Sequence, residues 1–229
     1  MSNYDEWKNW DSSDFAKLEI KDKKYFEKIT KDINLGENVN VLEIGFGNGS
    51  FLKFLQNNNC KFTGIEIIPE LLNRAAKVGY EVYSDLDELP TNMKYDLVVM
   101  FDVLEHIPQD EIPSFFNKLH KLLNKGASLI IRTPNGSSPF GLTNQYGDIT
   151  HCTVVTGPKL DYWAQGSGLV LNYVGGNPYV INEGKLAKIP SRFIRRVLYL
   201  LIERLARWIF SPQSKGFLTS NLFAVLKKN

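Results

Sequence analysis

The stretch from Val41 to Ser50 constrains the fold more than any other part of the chain. It begins as a short apolar run and then places glycine at alternate positions, at Gly45, Gly47 and Gly49. Apolar residues at helical spacing follow, so the stretch predicts a strand, a tight turn and a helix. Glycine has no Cβ, so it can adopt positive φ and lets a backbone approach a ligand closely. We therefore expect a ligand to lie across this turn.

A second apolar stretch, 62–66, ends on the carboxylate of Glu66. If a nucleoside lies across the glycine turn, an acid at the end of the next strand is where its ribose hydroxyls would be held. Dinucleotide-binding proteins carry Gly-x-Gly-x-x-Gly at such a turn. Here Ser50 stands where the last of those glycines is required. The glycine pattern alone does not identify the ligand.

Three further features accompany the turn: an acid, Glu43, inside the first strand, a buried-type strand at 95–101, and the segment Leu104-Glu105-His106. Together these motifs resemble the class I S-adenosylmethionine-dependent methyltransferases, in particular the group that methylates oxygens of small molecules and sugars. The resemblance runs from about Asn38 to Gly176 and resumes at the last strand. A nicotinamide-dependent oxidoreductase is disfavoured by Ser50, and a non-catalytic binding protein by the intact turn.

The resemblance implies an α/β fold, namely a Rossmann-like, mostly parallel sheet of seven strands with helices on both faces. The near-continuous apolar run 95–101 agrees, because strands of this kind are buried on both sides. The last strand, 220–228, is expected to lie antiparallel between the fifth and sixth. With 229 residues, 43% of them hydrophobic, the chain suits a single domain, 1–229.

The resemblance also implies the cofactor, S-adenosyl-L-methionine, and its product, S-adenosyl-L-homocysteine. Glu43 and the three glycines are expected to surround the methionine part, and Glu66 to hold the ribose. Asp85, after the third strand, is the candidate for the adenine amino group, although a turn carboxylate that faces water is the alternative. The remaining cofactor-binding candidates are Phe101 and Glu105.

The acceptor side is expected in the loop 136–156, which is polar and shows no regular pattern; long loops of this kind are usually functional or disordered. Its segment from Asp148 to His151 resembles the Asp-x-Thr-His run of small-molecule and sugar methyltransferases. An alcohol acceptor must lose a proton, and histidine is suited to take it near neutral pH. His151, oriented by Asp148, is the first candidate base and His106 the second; a third alternative is that neither acts as base.

These features predict methyl transfer to a sugar hydroxyl of a surface glycan or a lipid-linked saccharide. The alternative acceptor is a quinone precursor or another lipid-like phenol. Cys60 and Cys152 lack metal-ligand spacing, so we expect no metal, and the start of the chain shows no signal peptide. We therefore expect a cytoplasmic protein. The net charge of +2 gives no reason to expect nucleic-acid binding.

The first 38 residues are expected to form a helical cap and lid. The helical pattern 22–33 places Tyr25, Phe26 and Ile29 on one face, which would pack on the sheet. The aromatic segment 4–10 is either part of the same packing or a lid over the cofactor. Deletion of residues 1–11 should then weaken cofactor binding without unfolding the protein.

Between the sixth and seventh strands the chain inserts about forty residues, 177–217. Within this insertion, 192–210 predicts a basic amphipathic helix, with arginines on one side and Ile194, Leu198, Leu201 and Leu205 on the other. Such a helix suits the surface of an anionic membrane. Its apolar face could instead contact a second copy in a homodimer or pack on its own sheet. Membrane contact would make the protein peripheral at the inner face of the membrane.

Overall fold

The computed structural model describes residues 15–210 and 218–229, and its centre is a sheet of seven strands. The spatial order is β3-β2-β1-β4-β5-β7-β6. In chain order the strands are β1 (Asn40–Ile44), β2 (Lys61–Ile65), β3 (Val82–Tyr83), β4 (Tyr95–Phe101), β5 (Leu123–Pro134), β6 (Leu169–Gly176) and β7 (Asn221–Lys228).

The first five strands pair in parallel, and β7 runs antiparallel to both β5 and β6. The expected position of the last strand is therefore confirmed. The strand order reverses between β1 and β4, since β2 and β3 lie to one side of β1 and the later strands to the other. In open α/β sheets ligands bind outside the carboxyl ends of the strands at such a reversal. The glycine turn follows β1 at this point.

Helices cover both faces of the sheet, as the near-continuous apolar run 95–101 predicts. They are α1 (Ile20–Ile29), α2 (Ser50–Asn57), α3 (Pro69–Lys77), α4 (Ile112–Leu122), α5 (Leu142–Gly147), α6 (Gly157–Gly166) and α7 (Ile189–Phe210). Short 3₁₀ helices lie at Leu86–Glu88, Leu104–His106 and Leu186–Lys188. One face of the sheet packs on α4 and α6, and the other on α1, α2 and α3.

The loop 136–156 is more ordered than its composition predicts, because it contains the short helix α5. Buried Gln145 on this helix donates a hydrogen bond from Nε2 to the carbonyl oxygen of Thr153, at 3.2 Å. A contact of this kind comes from tertiary structure, so periodicity within the loop could not predict the helix.

Helix α1 buries Tyr25, Phe26 and Ile29, the three residues that its pattern predicts to share a face. The ring of Phe26 stacks on Phe101 at the end of β4, with ring centroids 5.9 Å apart. The helix therefore caps the sheet beside the carboxyl ends of its central strands. The proposed lid, 4–10, lies outside the described residues.

The insertion leaves the sheet after β6 and returns to it at β7. Because β6 is antiparallel to β7, both junctions lie at the edge that carries the glycine turn. The apolar face of α7 is exposed, so the alternative in which this face packs on its own sheet is wrong. Within 15–210 and 218–229, no helix combines the length and the hydropathy that are needed to span a bilayer.

Candidate active site

The glycine turn adopts the backbone conformation that the sequence predicts. Gly45, Gly47 and Gly49 have φ angles of 72°, 50° and 69°. These values lie in the left-handed region that other residues rarely adopt. A Cβ on Gly45 would lie 2.4 Å from Cγ2 of Val103, so there is no space for a side chain at this position.

Glu66 joins the end of β2 to this turn. Its Oε2 accepts a hydrogen bond from the backbone N–H of Gly47 at 3.0 Å, and its Oε1 accepts from the N–H groups of Ile67 and Ile68 at 2.8 and 3.2 Å. Three backbone donors therefore fix the carboxylate against the turn. Glu66, the residue expected to hold the ribose, therefore lies beside the glycines, as the sequence predicts.

Glu43 is a buried carboxyl next to the turn. Within 15–210 and 218–229, its Oε2 has no hydrogen-bond partner. Burial, followed by repulsion from Glu66, raises the pKa of Glu43 well above its usual value, and Arg132 opposes the shift. An unsatisfied buried oxygen of this kind costs stability unless a ligand donates to it. The ammonium group of a bound amino acid would be such a donor.

Glu43→Gln should therefore change how stability depends on pH. A carboxyl whose pKa is raised on folding stabilises the fold fully below its unfolded pKa, and this contribution is lost as the pH rises through the folded pKa. The free energy of unfolding of the variant, relative to the unmodified protein, should rise above about pH 5 by up to roughly 1 kcal/mol per pH unit. Urea unfolding without cofactor, over a series of pH values, measures the difference.

Glu27→Gln is the matched control, because Glu27 lies exposed on α1. Its stability should follow that of the unmodified protein at every pH. If the curve for Glu43→Gln also runs parallel to that of the unmodified protein, Glu43 does not have the raised pKa described above.

Arg132 is a site residue that sequence analysis missed. Its Nε donates to Oδ1 of Asp102 at 3.2 Å, and its guanidinium carbon lies 4.9 Å from the ring centroid of Phe101. Phe101, predicted to bind the cofactor, therefore packs against both Phe26 and this cation. The position of Arg132 at the carboxyl end of a predicted strand was the one available signal.

Asp85 lies exposed at the start of the 3₁₀ helix Leu86–Glu88. Its Oδ1 accepts a hydrogen bond from the backbone N–H of Asp87 at 2.8 Å. This geometry is that of a capping residue in a turn. The capping bond uses one oxygen of the Asp85 carboxylate. The assignment of Asp85 to the adenine amino group stays a prediction.

On the acceptor side, His106 is linked to Asp148 through Thr150. Oγ1 of Thr150 lies 2.5 Å from Oδ1 of Asp148 and 3.0 Å from Nδ1 of His106. A carboxylate only accepts, so the hydroxyl donates to Asp148 and accepts from the N–H of His106. This assignment puts the proton of the neutral ring on Nδ1 and its lone pair on Nε2.

His151 lies against His106, with ring centroids 4.6 Å apart and an interplanar angle of 75°. Its Nδ1 donates to the carbonyl oxygen of Gln145 at 3.1 Å. Its Nε2 faces Oδ2 of Asp148 at 3.7 Å and Oε1 of Glu105 at 3.9 Å. Gln145, and not Asp148 as the sequence suggested, fixes the tautomer of His151. The side chain of His151 is 7% exposed.

Glu105 is completely buried between β5 and the acceptor loop. Its Oε2 accepts a hydrogen bond from Thr133 at 3.0 Å, and its carbonyl oxygen accepts from the N–H groups of Cys152 and Thr153 at 2.9 and 3.0 Å. Burial, followed by repulsion from Asp102, raises its pKa to about 8. At neutral pH the carboxyl is therefore mostly protonated. Its contacts hold the acceptor loop, and its assignment to the cofactor stays a prediction.

The two histidines and Glu105 also form a set that could hold a metal ion. One ligand atom from each residue lies within 4.8 Å of the other two. The sequence gave no indication of this set, because His151 is far from the other two residues along the chain. Two imidazoles and a carboxylate are ligands that several divalent transition metals accept.

Comparison with known proteins identifies a family. A family model described as "Methyltransferase domain" matches residues 17–174. Among curated proteins, the ubiquinone biosynthesis O-methyltransferase of Hydrogenovibrio crunogenus is 26% identical over 199 residues, which cover 77% of this chain and 81% of that protein. The phosphoethanolamine N-methyltransferase of Plasmodium falciparum is 31% identical over 114 residues, 46% of this chain and 42% of that protein.

Among solved structures, the chain is similar to a SAM-dependent methyltransferase from Archaeoglobus fulgidus. The sequences are 22% identical, the match covers 90% of this chain and 94% of the other, and the TM-score is 0.66. This similarity shows the fold.

Proposed function

Because the chain belongs to the methyltransferase domain family, we propose that it transfers a methyl group from S-adenosylmethionine to a hydroxyl oxygen of a membrane-attached acceptor. One observation carries the proposal above the others. The glycine turn with its buried acid, Glu43, and the chain of hydrogen bonds from His106 to Asp148 lie at the same edge of the sheet. A nucleoside bound at the turn would therefore lie at the same edge as a group that can accept a proton.

The residues around the turn fit the cofactor. S-adenosylmethionine supplies a methyl group on a positively charged sulfur, which leaves as a neutral thioether. Glu43 has a buried oxygen that the cofactor's ammonium group can satisfy, and the carboxylate of Glu66 lies where it can accept from ribose hydroxyls. The glycines allow the close approach that both contacts require. Holding the two reactants in line is the main contribution of a protein to such a displacement.

We assign removal of the acceptor's proton to His106. The oxygen of the hydroxyl forms its bond to the methyl carbon while its proton passes to Nε2 of the imidazole. The charge that then develops on the ring is stabilised by Asp148, through Thr150. The sequence ranked His151 first, but its Nε2 faces two buried carboxyls, so His106 is the better placed of the two.

Two acceptor classes have support. A phenol of a quinone precursor is favoured by the relatives, since the ubiquinone biosynthesis enzyme is an O-methyltransferase similar over most of this chain. A sugar hydroxyl of a lipid-linked saccharide is favoured by the Asp148–His151 loop, whose residues the structure joins to His106. Incubation with labelled cofactor and each acceptor, followed by mass spectrometry, distinguishes them. Failure of both would contradict a membrane-attached oxygen acceptor.

Glu66→Ala tests the cofactor site directly. Loss of hydrogen bonds to a charged acceptor should weaken S-adenosylmethionine binding by about 10- to 100-fold. Calorimetric titration measures the affinity, with S-adenosylhomocysteine as the product and NADH as a negative control. Glu37→Ala, at an exposed position away from the turn, should bind normally. Binding of NADH but of neither sulfur nucleoside would overturn the proposed function.

A further inference from the structure

Helix α7 has the orientation opposite to that of an ordinary surface helix. Its apolar side chains face solvent: Leu201 is 58% exposed, Leu205 55% and Trp208 73%. The same holds along the whole face, which comprises Phe193, Ile194, Val197, Leu198, Leu200, Leu201, Ile202, Leu205, Trp208 and Ile209; Phe210, at the end of the helix, is exposed as well. A contiguous apolar surface of this length marks an interaction site.

The polar face of α7 is the one that attaches it to the protein. Arg192 pairs with Glu183, and the guanidinium carbon of Arg196 lies 5.6 Å from the ring centroid of Tyr179. Glu203 is 7% exposed, and its Oε1 accepts a hydrogen bond from the N–H of Leu218 at 3.2 Å. These contacts use the polar residues that a surface helix normally presents to water. They fix the helix with its apolar side outward.

The charges that remain exposed around this face have one sign. From Lys185 to Phe210 the exposed charged residues are Lys185, Lys188, Arg195 and Arg204, whereas Glu203 is the sole acid in that range and is buried. A second copy docked through the same face would bring these cations together with their own symmetry mates. A surface of negative charge is the complementary partner.

We infer that α7 docks on a lipid bilayer that contains anionic headgroups. The apolar face would lie among the acyl chains near the headgroups, and the four cations would lie beside the phosphates. Phe193 lies near one end of the helix, and Trp208 and Phe210 lie at the other. Aromatic side chains are favoured at this depth of a bilayer.

The insertion that contains α7 begins and ends beside the candidate active site. The backbone N–H of Asn177 donates to the carbonyl oxygen of Asn221 at 3.2 Å, and Tyr25 donates from its hydroxyl to Oδ1 of Asn177 at 2.7 Å. Both junctions of the insertion therefore lie at the edge of the sheet that carries the candidate active site. Docking through α7 would bring that edge to the bilayer. This use of the docking rests on the proposed function, whereas the docking itself does not.

Co-sedimentation of the full chain with vesicles tests the inference. Vesicles of phosphatidylcholine with phosphatidylglycerol should retain the protein, and vesicles of phosphatidylcholine alone should retain much less. Leu201→Glu/Leu205→Glu should lower the bound fraction at least about tenfold, because two charges replace inserted side chains. Val78→Glu/Tyr162→Glu, at two exposed apolar positions outside α7, should bind as the unmodified protein does.

Trp208 provides a second measurement. Its fluorescence should shift to shorter wavelength on vesicle binding, and Trp208→Phe should remove most of that shift. Recovery of the unmodified protein in the supernatant would overturn the inference, as would a stable dimer that Leu201→Glu/Leu205→Glu converts to a monomer. Normal binding of S-adenosylmethionine by the same variant separates failed docking from failure of the proposed function.

Discussion

His106→Ala should lower the rate of methyl transfer by about 10² to 10⁴, the contribution that a positioned base typically makes. The contacts of this ring are with Thr150, which links it to Asp148, and with His151, and none of these residues belongs to the glycine turn. The substitution should therefore remove the proton acceptor and leave the cofactor site in place. Affinity for S-adenosylmethionine should stay as in the unmodified protein. Single-turnover kinetics with labelled cofactor, together with calorimetry, measure the two quantities.

Three further variants identify the role of each residue. His120→Ala changes the remaining histidine, on α4 outside the acceptor loop, and should leave turnover unchanged. Thr150→Val keeps the imidazole but removes its link to Asp148, so an intermediate loss is expected. Imidazole added to His106→Ala should restore part of the rate. Full turnover by His106→Ala, with a large loss in His151→Ala, would instead make His151 the base.

Gly45→Ala should lower the free energy of unfolding by about 2 to 5 kcal/mol. A left-handed backbone costs a residue with a Cβ about 1 to 2 kcal/mol. The overlap with Val103, 2.4 Å from the new Cβ, adds the cost of an overpacked core, about 1 to 3 kcal/mol. The turn must move to relieve the overlap, so cofactor affinity should also fall. Urea unfolding and calorimetry measure the two effects.

Gly126→Ala is the matched control for backbone strain. Gly126 also has a positive φ, 80°, but a Cβ there would meet nothing within 4 Å. Gly126→Ala should lower the free energy of unfolding only by the cost of the left-handed backbone, about 1 to 2 kcal/mol, and should leave cofactor binding unchanged. In the double variant Val103→Ala/Gly45→Ala the overlap is removed, so the part of the stability loss that comes from overpacking should be regained. If Gly45→Ala is no less stable than Gly126→Ala, the contact with Val103 is not a constraint on the turn.

The sheet could be predicted because its signals are local. The alternating glycines set the turn after β1, and the apolar run 95–101 set a strand buried on both sides. Helix α5 could not be predicted in the same way. Its sequence is polar and contains glycine, and the contact between Gln145 and Thr153 that holds it depends on how the loop folds back.

The residues of the candidate site were predicted better than their partners. Sequence analysis named Asp148, His151 and His106, and the structure brings them together. Spacing along the chain suggested that Asp148 orients His151, since the two are three residues apart. In the structure the Asp148 carboxylate is instead linked to His106 by two hydrogen bonds of the Thr150 hydroxyl. Such a chain of hydrogen bonds depends on side-chain rotamers, which periodicity does not report.

The same limit applies to α7. Periodicity identified which residues share its apolar face, and the structure agrees on every residue named for it. It could not say which face turns toward the protein, because that depends on the partners of Arg192 and Glu203, which are Glu183 and the backbone of Leu218. The usual assumption, that the apolar side faces inward, fails for this helix.

A hydrogen bond from the N–H of Asn177, where the insertion begins, to the carbonyl oxygen of Asn221, the first residue of β7, closes the gap that the insertion spans. A short turn would be enough to close the sheet across this gap without changing the pairing of β6 with β7. The pairing of the last two strands therefore does not depend on the length of the insertion. If α7 docks as inferred above, exchange of the insertion would change the surface to which the protein binds and leave the methyltransferase sheet in place.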